Sequence, residues 1–366
     1  MEFRRSETAY FVSGDIFAQI TGGTLCDRMV AEELKRTRLV QFIVPQIRSL
    51  NYTRQLFAGL LNNFRNLFRA FPRRSLLVVD HGVYRDCFIA ANVWKWLYQC
   101  RVVSLVYHLD YNQPEMRGGQ ALRTLIEKLM IRSYDFVLTI SQSTAEHLAD
   151  LGFPPERMAQ IPVSRRFGPQ ADLERSSKCE SVELLFVGAV QPRKGLRDAI
   201  QALSRYRGDR KIVFRCVGSC DPAESYTQEL KTTAAQVPGL ALEMPGKVSH
   251  EALAEYFRQA DAFLFPSHWE GYGIAIEEAM CFGLPVIAYH AGSVPELVDD
   301  GVTGWLAPVG DINALAQAIS ECVENPVERR RRGRNGLEKA RRLTAAKNLG
   351  EILEHAIAAA EENHAS

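Results

Sequence analysis

The chain has 366 residues, 46% hydrophobic and 24% charged, which are the proportions of a globular protein of about two domains. No apolar run approaches the roughly 20 residues that span a bilayer. The charged start Met1-Glu2-Phe3-Arg4-Arg5 has no apolar leader segment, so a cytoplasmic protein is expected. Net charge is +1 but unevenly shared: residues 1–170 hold 22 basic and 15 acidic side chains (+7), leaving −6 on the rest, as if two lobes met different partners.

The first half reads as β/α units. A strand near Tyr10–Ser13 leads to Gly22-Gly23 and a helix from about Thr24 to Lys35. Leu39–Val44 is a short strand, and residues 53–71 form a helix with Leu56, Phe57, Leu60, Leu61, Phe64, Leu67, Phe68 and Phe71 at helical spacing. From Lys35 through Val79 every charged side chain is basic, so this helix suits an anionic membrane surface or a core with a basic edge. Strands follow at Ser75–Asp80, Val102–His108 and Asp135–Ser141, then a helix over Thr144–Leu151. Pro154-Pro155 and the stretch Ser164–Gln170 punctuate the chain and place a linker near 164–178.

The pattern then restarts. Strands are expected at Glu183–Val187, Lys211–Val217, Ala241–Met244, Ala262–Phe265 and Pro285–Tyr289, with helices at Gly195–Tyr206, Glu224–Gln236, His250–Gln259 and after Gly273. The tail from Pro326 to about Glu362 reads as helical. Strands alternating with helices argue a parallel sheet covered on both faces, and two such series argue an α/β chain of two doubly wound, Rossmann-like domains facing across a cleft.

The most informative stretch is Glu270-Gly271-Tyr272-Gly273-Ile274-Ala275-Ile276-Glu277-Glu278. Glu270 and Glu278 bracket a glycine turn that opens a helix. Such a turn presents backbone N–H groups at the positive end of the helix dipole, a seat for phosphate. Carboxylates on either side could grip hydroxyl groups, and phosphate flanked by hydroxyls describes a nucleotide sugar. Upstream, Phe186-Val187-Gly188-Ala189-Val190-Gln191-Pro192-Arg193-Lys194-Gly195 is a strand, a loop and a helix start, with Lys194 placed to meet a pyrophosphate. Val106-Tyr107-His108 closes a strand, where a histidine would face a ligand crevice.

The string Phe265-Pro266-Ser267-His268-Trp269-Glu270-Gly271-Tyr272-Gly273, with its helix and Gly283-Leu284-Pro285-Val286, resembles the E-x7-E motif of retaining GT-B glycosyltransferases, the large group 1, family 4-like family. The resemblance implies two Rossmann-like domains: an acceptor-binding one over 1–168 and a nucleotide-sugar-binding one over 178–345. A helix over 346–366 would cross back to the first domain. It implies Glu278 on the ribose hydroxyls and Glu270 on the sugar ring. Arg193, Lys194 and the N–H groups of Tyr272, Gly273 and Ile274 would lie on the diphosphate. Gly188 would line the phosphate loop, Gly23 an N-terminal glycine loop, and His108 would stand beside the transferred sugar. Ser219 and Gly246–Val248, Val248 included, would contact the base. One departure is clear: many members carry Arg after the first glycine of the phosphate loop, where this chain has Ala189.

The resemblance also implies partners and limits: a nucleotide-sugar donor, a sugar or lipid-linked acceptor, retention of anomeric configuration, and no nucleic acid. No D-x-D occurs, and the eight cysteines form no C-x-x-C pair, so no metal and no cofactor are expected. The third glycine of G-x-G-x-x-G is missing and no G-x4-GK[ST] loop occurs, which disfavours dinucleotide binding and P-loop ATPase chemistry. Two other classes keep the same architecture: a catalytically dead binding subunit, and a sugar-nucleotide epimerase that needs no acceptor.

Overall fold

The computed structural model describes residues 8–14, 22–44, 71–109, 120–163, 165–170, 181–221, 224–345 and 348–362. The basic helix expected over 54–71 lies outside them, apart from Phe71. The chain divides into two compact units, one of Met1–Ser164 with Lys347–Ser366 and one of Arg165–Ala346.

The first unit holds a six-stranded parallel sheet: β1 (Thr8–Val12), β2 (Leu39–Ile43), β3 (Leu76–Asp80), β4 (Arg101–Val106), β5 (Phe136–Thr139) and β6 (Met158–Gln160), in the order β2-β1-β3-β4-β5-β6. Helices α1 (Gly22–Lys35), α2 (His81–Tyr98), α3 (Gln120–Ile131) and α4 (Gln142–Asp150) connect the strands. Strands β3 and β4 are buried almost throughout, as their unbroken apolar runs require. Phe71 packs edge-on to Tyr10 at 4.7 Å and against Trp94 at 4.8 Å between ring centres.

Two helices here escaped the sequence reading. Helix α2 follows β3 with no turn residue between them, because Asp80 ends the strand and also caps the helix: its carboxylate accepts from the Gly82 N–H at 2.9 Å. Gln99 closes the helix in the left-handed conformation, at φ 52°. Gly118-Gly119 stands directly ahead of α3 in the sequence, yet no helix is expected there. Gly22 and Gly23, expected as a loop before α1, lie within its first turn.

The second unit repeats the plan. Strands β7 (Ser181–Val187), β8 (Lys211–Val217), β9 (Leu240–Gly246), β10 (Ala262–Phe265), β11 (Val286–Tyr289) and β12 (Gly304–Ala307) are parallel, in the order β12-β11-β10-β7-β8-β9. Helices α5 (Leu196–Leu203), α6 (Ser225–Ala235), α7 (His250–Gln259), α8 (Ile274–Cys281), α9 (Val294–Leu297), α10 (Ile312–Glu324) and α11 (Pro326–Ala345) surround it. Chain order reverses between β7 and β10, which makes that pair the topological switch point of an open α/β sheet. Phe186 of β7 stacks on Phe265 of β10 at 5.6 Å, and Phe263 on Phe265 at 5.5 Å, so an aromatic layer underlies the switch point.

The helical tail is two helices, α11 and then α12 (Leu349–Glu362), and they belong to different units. In the first unit α12 packs on β4, β5 and α1, and Glu361 pairs with the buried Arg101. Residues 165–168, assigned by sequence to the first domain, cluster with the second unit. The reason is local: Phe167 stacks on His250 at 4.4 Å and meets Phe282 at 5.2 Å, while Arg165 and Arg166 bond to α8.

Candidate active site

In the second unit, the segments after the two switch-point strands carry the site. After β7 the chain runs through Gly188 to a 3-10 turn, Pro192–Lys194, and Gly195 starts α5. After β10 it runs through Pro266 to Gly273, which starts α8 at φ 94°. The two segments touch at their backbones. Gly195, at φ 69°, lies so close to Pro266 that a Cβ would stand 1.8 Å from the Pro266 carbonyl oxygen. The His268 N–H donates to the Arg193 carbonyl at 2.9 Å and fastens them further along.

This approach joins Lys194 to Glu270. The Lys194 Nζ donates to Glu270 Oε1 at 2.5 Å, and the Ser267 hydroxyl donates to the same oxygen at 2.6 Å. Arg193 reaches it at 3.4 Å and donates to the Trp269 carbonyl at 2.7 Å. Lys194 also lies over the Phe265 ring, 5.0 Å from its centre. Burial pushes the Glu270 carboxyl upward, but the charges of Lys194 and Arg193 outweigh it and hold it below the ordinary carboxylate range. Glu270 is therefore an anion at neutral pH, in a nearly buried position and beside two cations.

Glu278 lies one turn into α8 and is fully buried. Among the described residues its carboxylate is held by Arg166 alone. The Arg166 backbone N–H donates to Oε1 at 2.8 Å, Nε donates to Oε1 at 2.9 Å and Oε2 at 3.1 Å, and Nη2 donates to Oε2. Its neighbour Glu277 accepts from Arg165 at 2.5 Å and from the Tyr272 hydroxyl at 2.8 Å. Burial raises the Glu277 carboxyl despite these partners, and burial likewise pushes the Tyr272 phenol well up, which keeps it a donor. Sequence reasoning missed both arginines. They stand in a stretch read as linker, and nothing in one sequence links an Arg-Arg doublet to a Glu-Glu doublet 112 residues on.

Around this centre, Tyr272, Gly273 and Ile274 lie at the N-terminal end of α8, whose dipole favours an anion. Gly188 lies beside β8, where the Val190 N–H donates to the Ser219 carbonyl at 2.9 Å. Gly246 ends β9 next to Gly218, and Val248 follows it, half-buried. His268 bonds Asp198 of α5 at 2.8 Å, and the Tyr289 hydroxyl donates to the same carboxylate at 2.9 Å. The His268 hydrogen bond, with that of Tyr289, holds the Asp198 carboxyl down against its partial burial. Among the described residues no His, Cys, Asp and Glu group could hold a metal ion.

His108 and Gly23 belong to the first unit. His108 is half-buried two residues beyond β4. Next to it, the Tyr107 hydroxyl donates to the buried Asp27 at 2.5 Å, and the Ser13 hydroxyl donates to the other oxygen of Asp27 at 2.7 Å. Burial, and then the charge of Asp80, raise the Asp27 carboxyl.

Residues 174–339 match the family described as Glycosyl transferases group 1, and residues 23–164 match the Glycosyl transferase 4-like domain. The chain belongs to the group 1, 4-like glycosyltransferase family. WcaL of Salmonella typhimurium, named for colanic acid biosynthesis, is 35% identical over 204 residues, 52% of this chain and 48% of its own. O-antigen chain mannosyltransferase B of Escherichia coli is 26% identical over 359 residues, 86% of this chain and 87% of its own. The chain spans about half the length of the first curated relatives it matches. Anabaena HepE, solved with UDP and glucose, superposes with a TM-score of 0.71 at 17% identity, over 96% of this chain and 99% of its own, and shares the GT-B fold. No described helix is long and apolar enough to cross a membrane.

Proposed function

We propose that the chain is a retaining glycosyltransferase that moves a hexose from a UDP- or GDP-sugar to an acceptor hydroxyl, without a metal, in cell-surface glycan or glycolipid assembly. The observation that carries this reading is Lys194 and Glu270 brought together at the switch point, beside the start of α8. That arrangement offers fixed positive charge for a leaving diphosphate and a carboxylate for a sugar hydroxyl. The UDP and glucose bound to HepE support a donor of this kind, and the names of WcaL and mannosyltransferase B support a glycan acceptor.

In the proposed reaction the acceptor oxygen bonds the anomeric carbon on the face that the diphosphate leaves. The anomeric C–O bond breaks, its electron pair goes to the diphosphate, and the acceptor proton passes to a departing phosphate oxygen. Lys194, Arg193 and the N–H groups of residues 272–274 stabilise the charge that grows there. Glu270 orients the sugar ring and Glu278 the ribose. Gly188 lets the phosphates approach its backbone, and Val248 borders the base.

Transfer from UDP- and GDP-sugars to a polyprenyl-phosphate-linked saccharide, measured in excess chelator, tests this. Product with the donor's anomeric configuration is expected. Epimer formed without acceptor, or activity only after added manganese or magnesium, would replace the reading.

The first unit is also proposed to meet an anionic membrane surface. Its acid-free stretch from Lys35 through Val79 and the exposed Trp96, Leu97, Leu125 and Leu129 support this. Each basic residue at such a surface contributes about 1 kcal/mol. Sedimentation with anionic vesicles at low salt, lost at high salt and absent with neutral vesicles, is the expected outcome; no sedimentation with anionic vesicles at low salt would leave the acceptor soluble.

A further inference from the structure

The carboxylate assigned above to the donor ribose is already occupied. A carboxylate offers about four lone-pair sites, and Arg166 fills them with its backbone N–H, Nε and Nη2. Glu278 has no solvent-exposed surface, whereas the Arg166 side chain is 28% exposed. A ribose diol presents two O–H donors about as far apart as the two N–H donors of a guanidinium fork. It therefore asks for the positions that the fork holds. The backbone N–H cannot leave, because Arg165 on Glu277 and Phe167 on His250 fasten the segment on both sides. The side chain can.

We propose that the Arg166 guanidinium is a stand-in for the ribose. In the free protein it covers Glu278 and keeps that buried anion paired. On donor binding the fork swings out, the ribose hydroxyls take Oε1 and Oε2, and the backbone N–H of residue 166 stays as a fixed third partner. Arg166 is thus a positioning residue that acts through Glu278 and sets how much the ribose hydroxyls add to affinity. The inference rests on the reading of Glu278 as the ribose acceptor.

The test isolates the diol from the phosphates. Dissociation constants are measured for UDP, GDP and ADP, each against its 2′,3′-dideoxy form, with wild type, Arg166→Ala, Arg166→Lys and Glu278→Gln. The ratio of dideoxy to ribose constant reports the diol alone, since loss of a nearby positive charge weakens both ligands alike. In wild type the ratio exceeds one for the base that binds. In Arg166→Ala it rises about tenfold, because the diol no longer displaces a fork. In Arg166→Lys, a point charge without a fork and the safer variant for folding, it rises by less. In Glu278→Gln it falls toward one.

A ratio that stays unchanged or drops in both Arg166 variants, while Glu278→Gln abolishes it, overturns the stand-in and leaves the ribose reading in place. A wild-type ratio of one, binding of none of the three nucleotides, or a ratio untouched by Glu278→Gln removes the ribose reading and the stand-in together.

Discussion

Lys194→Ala is expected to lower kcat/KM for the sugar nucleotide by about two to three orders of magnitude, the range for removing one preorganised donor from developing charge. Two effects act in the same direction. The leaving diphosphate of the proposed reaction loses a side-chain cation, and Glu270, which is 9% exposed, loses its shortest ion pair. Arg193, at 3.4 Å, is too long a contact to replace it fully. Lys194→Arg keeps the charge and should recover part of the loss. Glu270→Ala should act differently: Lys194 stays for the diphosphate, so donor affinity holds near wild type while turnover falls. Steady-state kinetics with separate kcat and KM, together with nucleotide dissociation constants, check both. Wild-type kcat/KM in Lys194→Ala and Glu270→Ala would move the chemistry away from the switch point.

Gly195→Ala is expected to destabilise the second unit by several kcal/mol and to abolish donor binding. Left-handed backbone costs a residue with a Cβ roughly 1–2 kcal/mol. The larger effect is contact: the new Cβ would stand 1.8 Å from the carbonyl oxygen of Pro266, which is backbone and cannot rotate away. Either the 3-10 turn or the segment after β10 must shift, and each carries one half of the Lys194–Glu270 pair. Thermal denaturation should show a fall of roughly 5–15 °C for a unit of this size. Gly239→Ala serves as the control, because it shares a positive φ of 75° but has no atom within 4 Å of the added Cβ. A Gly195→Ala protein no less stable than Gly239→Ala would show that the close approach carries no energetic weight.

Much of the fold is legible in the chain because its signals are local. Apolar runs such as Leu76–Val79 and Ala262–Phe265 need only their own composition to read as buried strands, and both are strands in the structure. Helix α7 begins at His250 and ends at Gln259, as the pattern indicates, because Ser249 caps it with a bond to the Ala252 N–H at 3.2 Å. Strand β12 and helices α2, α3 and α10 are not legible in that way. No element is expected between Tyr289 and Pro326, yet helix α10 lies there, capped by Asp311.

The site divides along the same line. The sequence alone determines that the chain carries two β/α series, a glycine turn bracketed by Glu270 and Glu278, and a basic turn ending in Lys194. These are patterns of near neighbours, set by backbone geometry over a few residues. Only the tertiary structure decides which of them meet. Lys194 and Glu270 are 76 residues apart, and Arg166 and Glu278 are 112 apart. The first pair forms because β7 and β10 lie side by side where strand order reverses, and the loops after adjacent parallel strands leave the sheet at the same end. The second forms because Phe167 is drawn into an aromatic cluster with His250, Phe257 and Phe282. That burial drags Arg166 onto a carboxylate that no local signal connects to it.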